Sequence, residues 1–276
     1  MSKPEFEKKV PVTTVVNHPK HGANTPYKQL DTANAHYVLH DNATSEAYIE
    51  HANMRGVTPE MMLWFFKHLD CYTTYNPATG DFDGPEIAVY RLWHCRDHIA
   101  IKLLKPGKYI EDADCAVSYD STFSINEIIL QKYPIESCSL VYDLYYDDEH
   151  GKRIGDGTQV NGSDGKTKNI GNFGFWLLGP LGMRCGYINH FFSVVDAEQQ
   201  ILSFHTQFIL GSPSIKILHS LLPKILPNGA TPERFLKDWI LHNVEESGES
   251  EKIVPILFAN QDKVFRRSEL LNRTVL

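Results

Sequence analysis

The sequence is poor in cysteine and contains no C-x-x-C pair. Its 276 residues include 5 cysteines and 13 histidines. An odd number of widely spaced cysteines is not typical of a disulfide framework, so we expect reduced thiols and a cytoplasmic protein. Any metal site in this chain should therefore use imidazole and carboxylate ligands rather than thiolates.

The chain also lacks the features of membrane proteins and nucleic-acid-binding proteins. No stretch approaches the roughly 20 apolar residues of a transmembrane helix, and the first residues contain no apolar signal core. The 27 lysines and arginines are outnumbered by 34 aspartates and glutamates, whereas a nucleic-acid surface needs clustered basic charge. We therefore expect no membrane and no nucleic acid among the partners.

The remaining composition is typical of a folded domain with its own core. Hydrophobic residues make up 42% of the chain and charged residues 22%, which is ordinary for a globular protein of this size. We predict an amino-terminal arm and helical segment over residues 1–80 and a second domain over residues 81–276. The polar arm over residues 1–43 could dock on a neighbouring subunit and so form a homodimer.

Helical patterns come first along the chain and strand patterns follow. Residues 44–69 have helical character, and Thr58 followed by Pro59 is typical of a helix start. After Gly84, alternating residues predict strands at residues 87–94, 100–104, 123–130, 138–146, 183–195 and 201–210. The last two of these flank a turn and should pair as a hairpin.

The last predicted helix begins at Thr231 and Pro232 and should end at about Glu246. Before it, residues 155–174 are expected to form a long surface loop and residues 215–225 a short helix. Strands followed by a terminal helix predict an α+β fold, in which an antiparallel sheet curls around the C-terminal helix.

His242 and Glu246 form the sharpest local signal for chemistry. They are four residues apart on the last helix, so they share one face and could bind the same metal ion. Phe235 and Trp239 lie on that face, which would direct both polar groups toward the sheet. The alternative is a surface pair, because a histidine near a helix C-terminus interacts favourably with the helix dipole.

Two histidines and an aspartate crowd the end of the strand predicted over residues 87–94. Either His94 or His98 could be a metal ligand, and Asp97 could orient one of them. The alternative is one core histidine, with Asp97 capping a turn.

Three further polar residues lie in predicted strands. Glu127 would share a face with Phe123 and Ile125, and a carboxylate buried there needs a cationic partner. The alternative places Glu127 on the solvent face of an edge strand. His190 and His205, in the predicted hairpin, could each be a general acid or base, or a hydrogen-bonded core residue.

Three motifs stand out when the chain is read in order. They are Met54-Arg55-Gly56-Val57-Thr58-Pro59-Glu60-Met61 followed by Trp64, Tyr90-x-x-Trp93-His94-x-x-Asp97-His98, and His242-x-x-x-Glu246 followed by Ile256-Leu257. Together they resemble the 2,4-diacetylphloroglucinol hydrolase family, to which phloretin hydrolase also belongs. The resemblance covers residues 45–260.

The resemblance implies a Bet v 1-like (START-related) helix-grip catalytic domain over residues 81–276, preceded by a small helical segment. It also implies a zinc ion, Zn2+, bound by two histidines and two glutamates. Carried over residue by residue, these metal ligands are His98, Glu127, His242 and Glu246.

Two of the four ligand assignments have competitors. His98 is preferred to His94, because Tyr90 then matches the tyrosine with which the family contacts its substrate. Glu111 and Glu136 compete for the position of the first glutamate ligand.

The resemblance also assigns a catalytic histidine, because His190 matches its position in the family. The chain departs from the family at residues 204–208, where many members have an Arg-Ser-Arg-Phe-Trp-like strand, and at Ile101, where they have an asparagine. These departures concern the contacts to substrate, so they point away from diacetylphloroglucinol itself and leave the metal ligands untouched.

Members of the family cleave the carbon–carbon bond between an aromatic ring and an acyl group. The resemblance therefore implies a zinc-dependent hydrolase that acts on an aromatic or polyketide small molecule. Two alternatives remain: a zinc-dependent cyclase or tautomerase of polyketide biosynthesis, and a non-catalytic binder of hydrophobic small molecules. The binder is conceivable because aromatic residues, 11% of the chain, would line a cavity readily.

Overall fold

Antiparallel strands and one long C-terminal helix make up most of the computed structural model of this protein, so the predicted α+β fold class is confirmed. The structure describes residues 7–9, 27–40, 44–106, 121–147, 153–154, 171–178, 184–211 and 226–266. Within these residues, no helix has the length and apolar character that crossing a membrane requires.

Fourteen strands are formed by the described residues. In chain order they are β1 (Glu7–Lys9), β2 (Asn34–Leu39), β3 (Ser45–Glu50), β4 (Met54–Arg55), β5 (Tyr72–Thr73), β6 (Ile87–Ala88), β7 (His98–Lys105), β8 (Thr122–Ile129), β9 (Tyr133–Asp147), β10 (Arg153–Ile154), β11 (Gly171–Leu178), β12 (Arg184–Asp196), β13 (Ile201–Leu210) and β14 (Val264–Phe265).

Most of these strands belong to one antiparallel sheet. Its hydrogen-bonded order is β1-β2-β3-β13-β12-β11-β9-β8-β7, with β10 added beside β9 and β4 beside β13. A second, small sheet has the order β14-β5-β6. Both sheets join strands from either side of residue 80, so the hydrogen bonding is continuous across the division predicted there.

The two longest helices begin where capping predicts. In α1 (Pro59–Lys67), the Thr58 hydroxyl accepts a hydrogen bond from the backbone N–H of Met61 at 3.2 Å. The shorter α2 is formed by Val89–Trp93, and α3 by Pro232–Ala259. At the start of α3, Thr231 accepts from the backbone N–H of Arg234 at 3.3 Å.

The predicted end of the last helix, near Glu246, is wrong. Helix α3 continues for a further 13 residues, to Ala259. The segment after Glu246 is rich in serine and glycine, but Ser247 and Ser250 are buried and bond to carbonyls one turn back. His242 and Glu246 therefore lie near the middle of a 28-residue helix and not at its C-terminus.

In two segments the structure has a strand where a helix was predicted, or a helix where a strand was predicted. Residues 45–50 form β3 rather than a helix, because buried Ala47 and Ile49 alternate with less buried positions and the strand pairs with both β2 and β13. Residues 87–94 form a strand only at Ile87–Ala88 and then become α2, in which Val89, Tyr90, Leu92 and Trp93 are all buried. A helix of five residues is too short to show a helical period in the sequence, which explains the incorrect prediction.

The other strand predictions are confirmed. The strands predicted at residues 100–104, 123–130, 138–146, 183–195 and 201–210 correspond to β7, β8, β9, β12 and β13, and β12 and β13 pair as a hairpin. Of the predicted loop over residues 155–174, the last four residues belong to β11 instead. The remainder of that loop and the helix predicted at residues 215–225 lie outside the described residues. The arm predicted over residues 1–43 is in part a strand of the main sheet, because β2 is hydrogen-bonded to β3.

One face of the main sheet packs against α3 through aromatic side chains. Phe208 on β13 lies 4.4 Å from Trp239 and 6.3 Å from Phe235, measured between ring centroids. Phe235 also meets Tyr133 on β9 at 5.4 Å. These buried rings hold the helix against the sheet and so set the position of His242 relative to the strands.

We expect Phe208→Ala to lower the free energy of unfolding by about 3–5 kcal/mol, because it leaves a cavity between α3 and the sheet. Urea unfolding followed by circular dichroism measures the change. The matched control is Lys102→Ala, at an exposed position on β7, which should stay within about 0.5 kcal/mol of wild type. Equal effects of the two substitutions would contradict this account of the helix–sheet contact.

Candidate metal centre

The structure brings the four predicted ligand residues together between two strands and a helix. His98 begins β7 and lies opposite Glu127 on β8 in the strand register. His242 and Glu246 lie one turn apart on α3. All four side chains are buried. The predicted inward orientation of Glu127 is confirmed, because the odd-numbered residues of β8 are buried and the even-numbered ones are partly exposed.

Ligand atoms of His98, Glu127 and His242 all lie within 4.8 Å of one another, and Glu246 lies close to both histidines. Nε2 of His98 lies 2.9 Å from Oε1 of Glu246 and 3.5 Å from Oε2 of Glu127. Nε2 of His242 lies 3.3 Å from the same oxygen of Glu246. Ligand atoms about 2.1 Å from a tetrahedral zinc ion are about 3.4 Å apart, so these separations suit two nitrogen and two oxygen donors around one ion.

Hydrogen bonds on the far side of each imidazole direct Nε2 into the centre. Nδ1 of His98 donates to the backbone carbonyl of Tyr90 at 2.8 Å. Nδ1 of His242 donates to Oδ2 of Asp97 at 2.9 Å. A histidine that ligates a metal commonly donates its second N–H to a carbonyl or carboxylate in this way. The carboxylate of Asp97 therefore orients His242, which the sequence did not predict, whereas the backbone N–H of Asp97 donates to His94.

Opposite charges set the protonation of the helix pair. Burial would lower the pKa of His242, but Glu246 and Asp97 raise it well above its ordinary value. Burial would raise the pKa of Glu246, but His242 and His98 hold it well below its usual range. Burial raises the pKa of Glu127, and the charge of Glu246 adds to that rise. A cation bound here would displace the proton on His242, so binding should release protons.

His94 lies beside this centre but has other partners. Its Nδ1 accepts from the backbone N–H of Asp97 at 3.3 Å, and its Nε2 donates to Glu245 at 3.1 Å. Burial lowers the pKa of His94 to about 4, and His242 contributes to the decrease. His94, Asp97 and His242 also form a compact group of potential metal ligands. Both ring nitrogens of His94 are engaged, however, which leaves His98 as the histidine aimed at the glutamates.

A buried ion-pair network surrounds Asp97. Arg96 donates from Nε to Oδ1 of Asp97 at 2.7 Å and from Nη2 to Oδ2 at 2.9 Å, and it also binds Glu245. The backbone N–H of Leu130 donates to Oδ2 of Asp97 at 2.7 Å. Burial would raise the pKa of Asp97, but Arg96 and His242 keep it far below its usual range. Asp97 is thus an ionised acceptor, neutralised by Arg96 as well as by His242.

Sequence reasoning missed Arg96, Glu245 and Tyr27. The Tyr27 ring stacks on His94 at 4.7 Å between centroids, and its hydroxyl accepts from the backbone N–H of Arg96 at 3.3 Å. A signal existed for Arg96 and Glu245, since each directly precedes a residue already singled out, Asp97 or Glu246. Tyr27 carried none, because its position beside His94 depends on contacts that are distant in the sequence.

The two residues predicted to be catalytic also border the centre. Tyr90 lies on α2, donates from its hydroxyl to Oε2 of Glu127 at 3.0 Å, and stacks on His98 with ring centroids 4.0 Å apart. His190 lies on β12 and stacks on Phe66 and Phe204. Burial lowers the pKa of His190 to about 4, and Glu246 is close enough to oppose this decrease.

The remaining candidates do not join the centre. His205 projects from the opposite face of β13, half-buried, where its ring contacts Tyr48 and Ser203. Glu111 lies outside the described residues, and so does the side chain of Glu136.

Comparison with known proteins assigns this chain to no family. No protein-family model matches the sequence, and no curated protein matches it. The fold and the centre define an α+β protein with buried clusters of histidine, aspartate and glutamate that could hold a metal ion.

We expect His242→Ala to weaken zinc binding more than about 100-fold, because it removes one nitrogen donor of the centre. Competition with a chromophoric chelator measures the affinity, and elemental analysis after dialysis measures the zinc content. His205→Ala is the matched control, since it removes a histidine from the opposite face of the sheet, and it should bind zinc as wild type does. Equal zinc affinity in the two variants would show that the centre is a structural ion-pair cluster only.

We expect Asp97→Asn to weaken zinc binding by about 10–100-fold, because His242 loses the carboxylate that orients its ring. The same chelator competition measures this change. Circular dichroism reports whether the variant remains folded, since Asp97 also pairs with Arg96. A folded Asp97→Asn protein with unchanged zinc affinity would contradict the positioning role of this carboxylate.

Proposed function

We propose that this protein is a zinc-dependent hydrolase that cleaves the carbon–carbon bond between an acyl group and a phenolic or polyketide ring. The observation that carries the proposal is the convergence of two imidazole Nε2 atoms and two glutamate carboxylates in one buried centre. The motif resemblance to the 2,4-diacetylphloroglucinol hydrolase family supports it. The packing of α3 on an antiparallel sheet supports a Bet v 1-like (START-related) helix-grip fold.

The residues that would hold the zinc ion are His98, Glu127, His242 and Glu246. Imidazole and carboxylate donors suit zinc, although manganese and iron accept similar ligands. When bound, zinc would supply a Lewis acid for a carbonyl oxygen and would make water nucleophilic near neutral pH.

The chemistry of the substrate explains why the ring must be phenolic. An aryl carbanion is a poor leaving group, so a simple aryl ketone resists cleavage. Hydroxyl groups ortho or para to the acyl carbon allow a keto tautomer, in which the acyl group becomes part of a β-diketone. Water adds to the acyl carbon, the bond to the ring breaks, and the electron pair remains on the ring as an enolate. The ring carbon then takes a proton, and a carboxylic acid is released.

Side chains around the centre suit the two remaining tasks, orientation and proton transfer. Tyr90 donates to Glu127, and its hydroxyl could also hold a ring hydroxyl of the substrate. His190 is neutral at physiological pH, because burial lowers its pKa to about 4, so it could carry the proton between water and ring. Trp93 lies against both His98 and His190 and helps to keep bulk water from the reacting atoms.

We expect the zinc-loaded protein to convert monoacetylphloroglucinol to phloroglucinol and acetate in equal amounts. Chromatography with mass detection measures both products. His190→Gln should keep its zinc and lose at least about 100-fold in turnover, because it removes the proton carrier. His205→Ala again serves as the control and should retain wild-type turnover.

Each other outcome identifies an alternative function. A product of unchanged mass would indicate a cyclase or tautomerase. Zinc content below about 0.2 per chain after gentle purification would contradict the enzyme and favour a non-catalytic binder of hydrophobic small molecules.

A further inference from the structure

A row of buried polar side chains runs from Glu246 in the metal centre to His190. Its members are Glu246, Asn243, His51, Thr206 and His190, and the last four are at most 5% exposed. The row crosses from α3 to β13 and β12, with His51 just after β3. Each step along it constrains which atom carries a hydrogen.

The row is anchored by the carboxylate of Glu246. Nδ2 of Asn243 donates to Oε2 of Glu246 at 2.7 Å. Because an ionised carboxylate only accepts hydrogen bonds, the amide nitrogen must face it, and Oδ1 of Asn243 faces away. Within the described residues, Oδ1 of Asn243 and Nδ1 of His51 are both buried without a hydrogen-bond partner.

These two unpartnered atoms belong to side chains close enough for Asn243 to influence the pKa of His51. Burial lowers the pKa of His51 well below its ordinary value, whereas Asn243 acts in the opposite direction, as a hydrogen-bond acceptor beside the ring does. An N–H at Nδ1 of His51 would satisfy both atoms at once. Since His51 is neutral, its Nε2 then has no hydrogen and can only accept.

Thr206 transmits this choice to His190. Its hydroxyl oxygen lies 3.0 Å from Nε2 of His51 and 2.9 Å from Nδ1 of His190. A hydroxyl has one hydrogen, so Thr206 can donate to only one of the two imidazoles and must accept from the other. If it donates to His51, then Nδ1 of His190 donates to Thr206.

The opposite direction leaves buried atoms unsatisfied. His51 would carry its hydrogen on Nε2, and its bare Nδ1 and Oδ1 of Asn243, both acceptors, could not satisfy each other. Buried polar groups without a partner are costly and rare. The direction that satisfies both atoms is therefore the favoured one.

We propose that Asn243, His51 and Thr206 are positioning residues that hold His190 as its Nδ1–H tautomer, with Nε2 as the proton acceptor. In the reaction proposed above, on which the catalytic part of this inference rests, Nε2 takes a proton from the attacking water as the oxygen bonds to the acyl carbon. The same nitrogen then returns that proton to the ring carbon after the carbon–carbon bond breaks. His190 is thus a base first and an acid second.

Nitrogen NMR of the full chain labelled with 15N-histidine tests the tautomer without substrate or turnover. Long-range proton–nitrogen correlation distinguishes protonated from bare ring nitrogens. His190→Gln and His51→Gln assign the two sets of signals by their loss. We expect a protonated Nδ1 and a bare Nε2 for His190, and the same pattern for His51. A hydrogen on Nε2 of His190 in the wild-type protein would overturn the inference.

A matched pair of variants tests the part played by Thr206. Thr206→Val keeps the shape but removes the hydroxyl, so His190 should lose its fixed tautomer and show averaged or Nε2–H signals. Thr206→Ser keeps the hydroxyl and should retain the wild-type signals. An unchanged tautomer in Thr206→Val would refute the relay, and the wild-type and serine spectra test the inference even if the valine variant fails to fold.

The kinetic arm separates this inference from the proposed function. If acetate is released, Thr206→Val should lower kcat by about tenfold and Thr206→Ser should restore it. Without the hydroxyl, part of the His190 population would carry its hydrogen on Nε2, where it cannot accept the proton from water. Acetate release with an Nε2–H tautomer would refute only the positioning role. The expected tautomer without acetate release would refute only the hydrolase.

Discussion

The interaction on which the centre depends is the hydrogen bond between His242 on α3 and Asp97, the residue just before β7. It is one of the charged contacts that join the helix to the strands, and it also sets the direction in which His242 faces. A carboxylate buried at this depth is stable only when its partners neutralise it. Arg96 and the backbone N–H of Leu130 supply the remaining donors, so the centre and the helix–sheet packing depend on the same group.

Local features of the fold could be predicted from the sequence, and features that depend on distant partners could not. Thr58 and Thr231 cap their helices through contacts three residues away, which a sequence displays directly. Strand β3, by contrast, contains Glu46, Ala47 and Glu50, which are good helix formers, and it pairs with β2 and β13 as a strand. Tertiary context overrides propensity in such segments.

The candidate site follows the same division. Glu127 could be singled out because a carboxylate in an apolar strand requires a partner, and His242 with Glu246 because helical spacing places them on one face. The burial of Glu245 and Arg96, and the row from Glu246 to His190, could not be inferred, since polar residues are ordinarily solvated. His51 in particular lies some 140 positions before His190, and only the adjacency of β3 and β13 brings it to Thr206.

The short helix α2 has a consequence for how this centre can change. In one stretch of nine residues, Tyr90 supplies a stacking ring and a carbonyl acceptor, Asp97 orients the helix histidine, and His98 faces the glutamates. These parts are covalently successive, so an insertion or deletion anywhere between Tyr90 and His98 would shift all of them together. A change of length in this segment would therefore disturb the centre at several points at once, whereas a single substitution alters one contact.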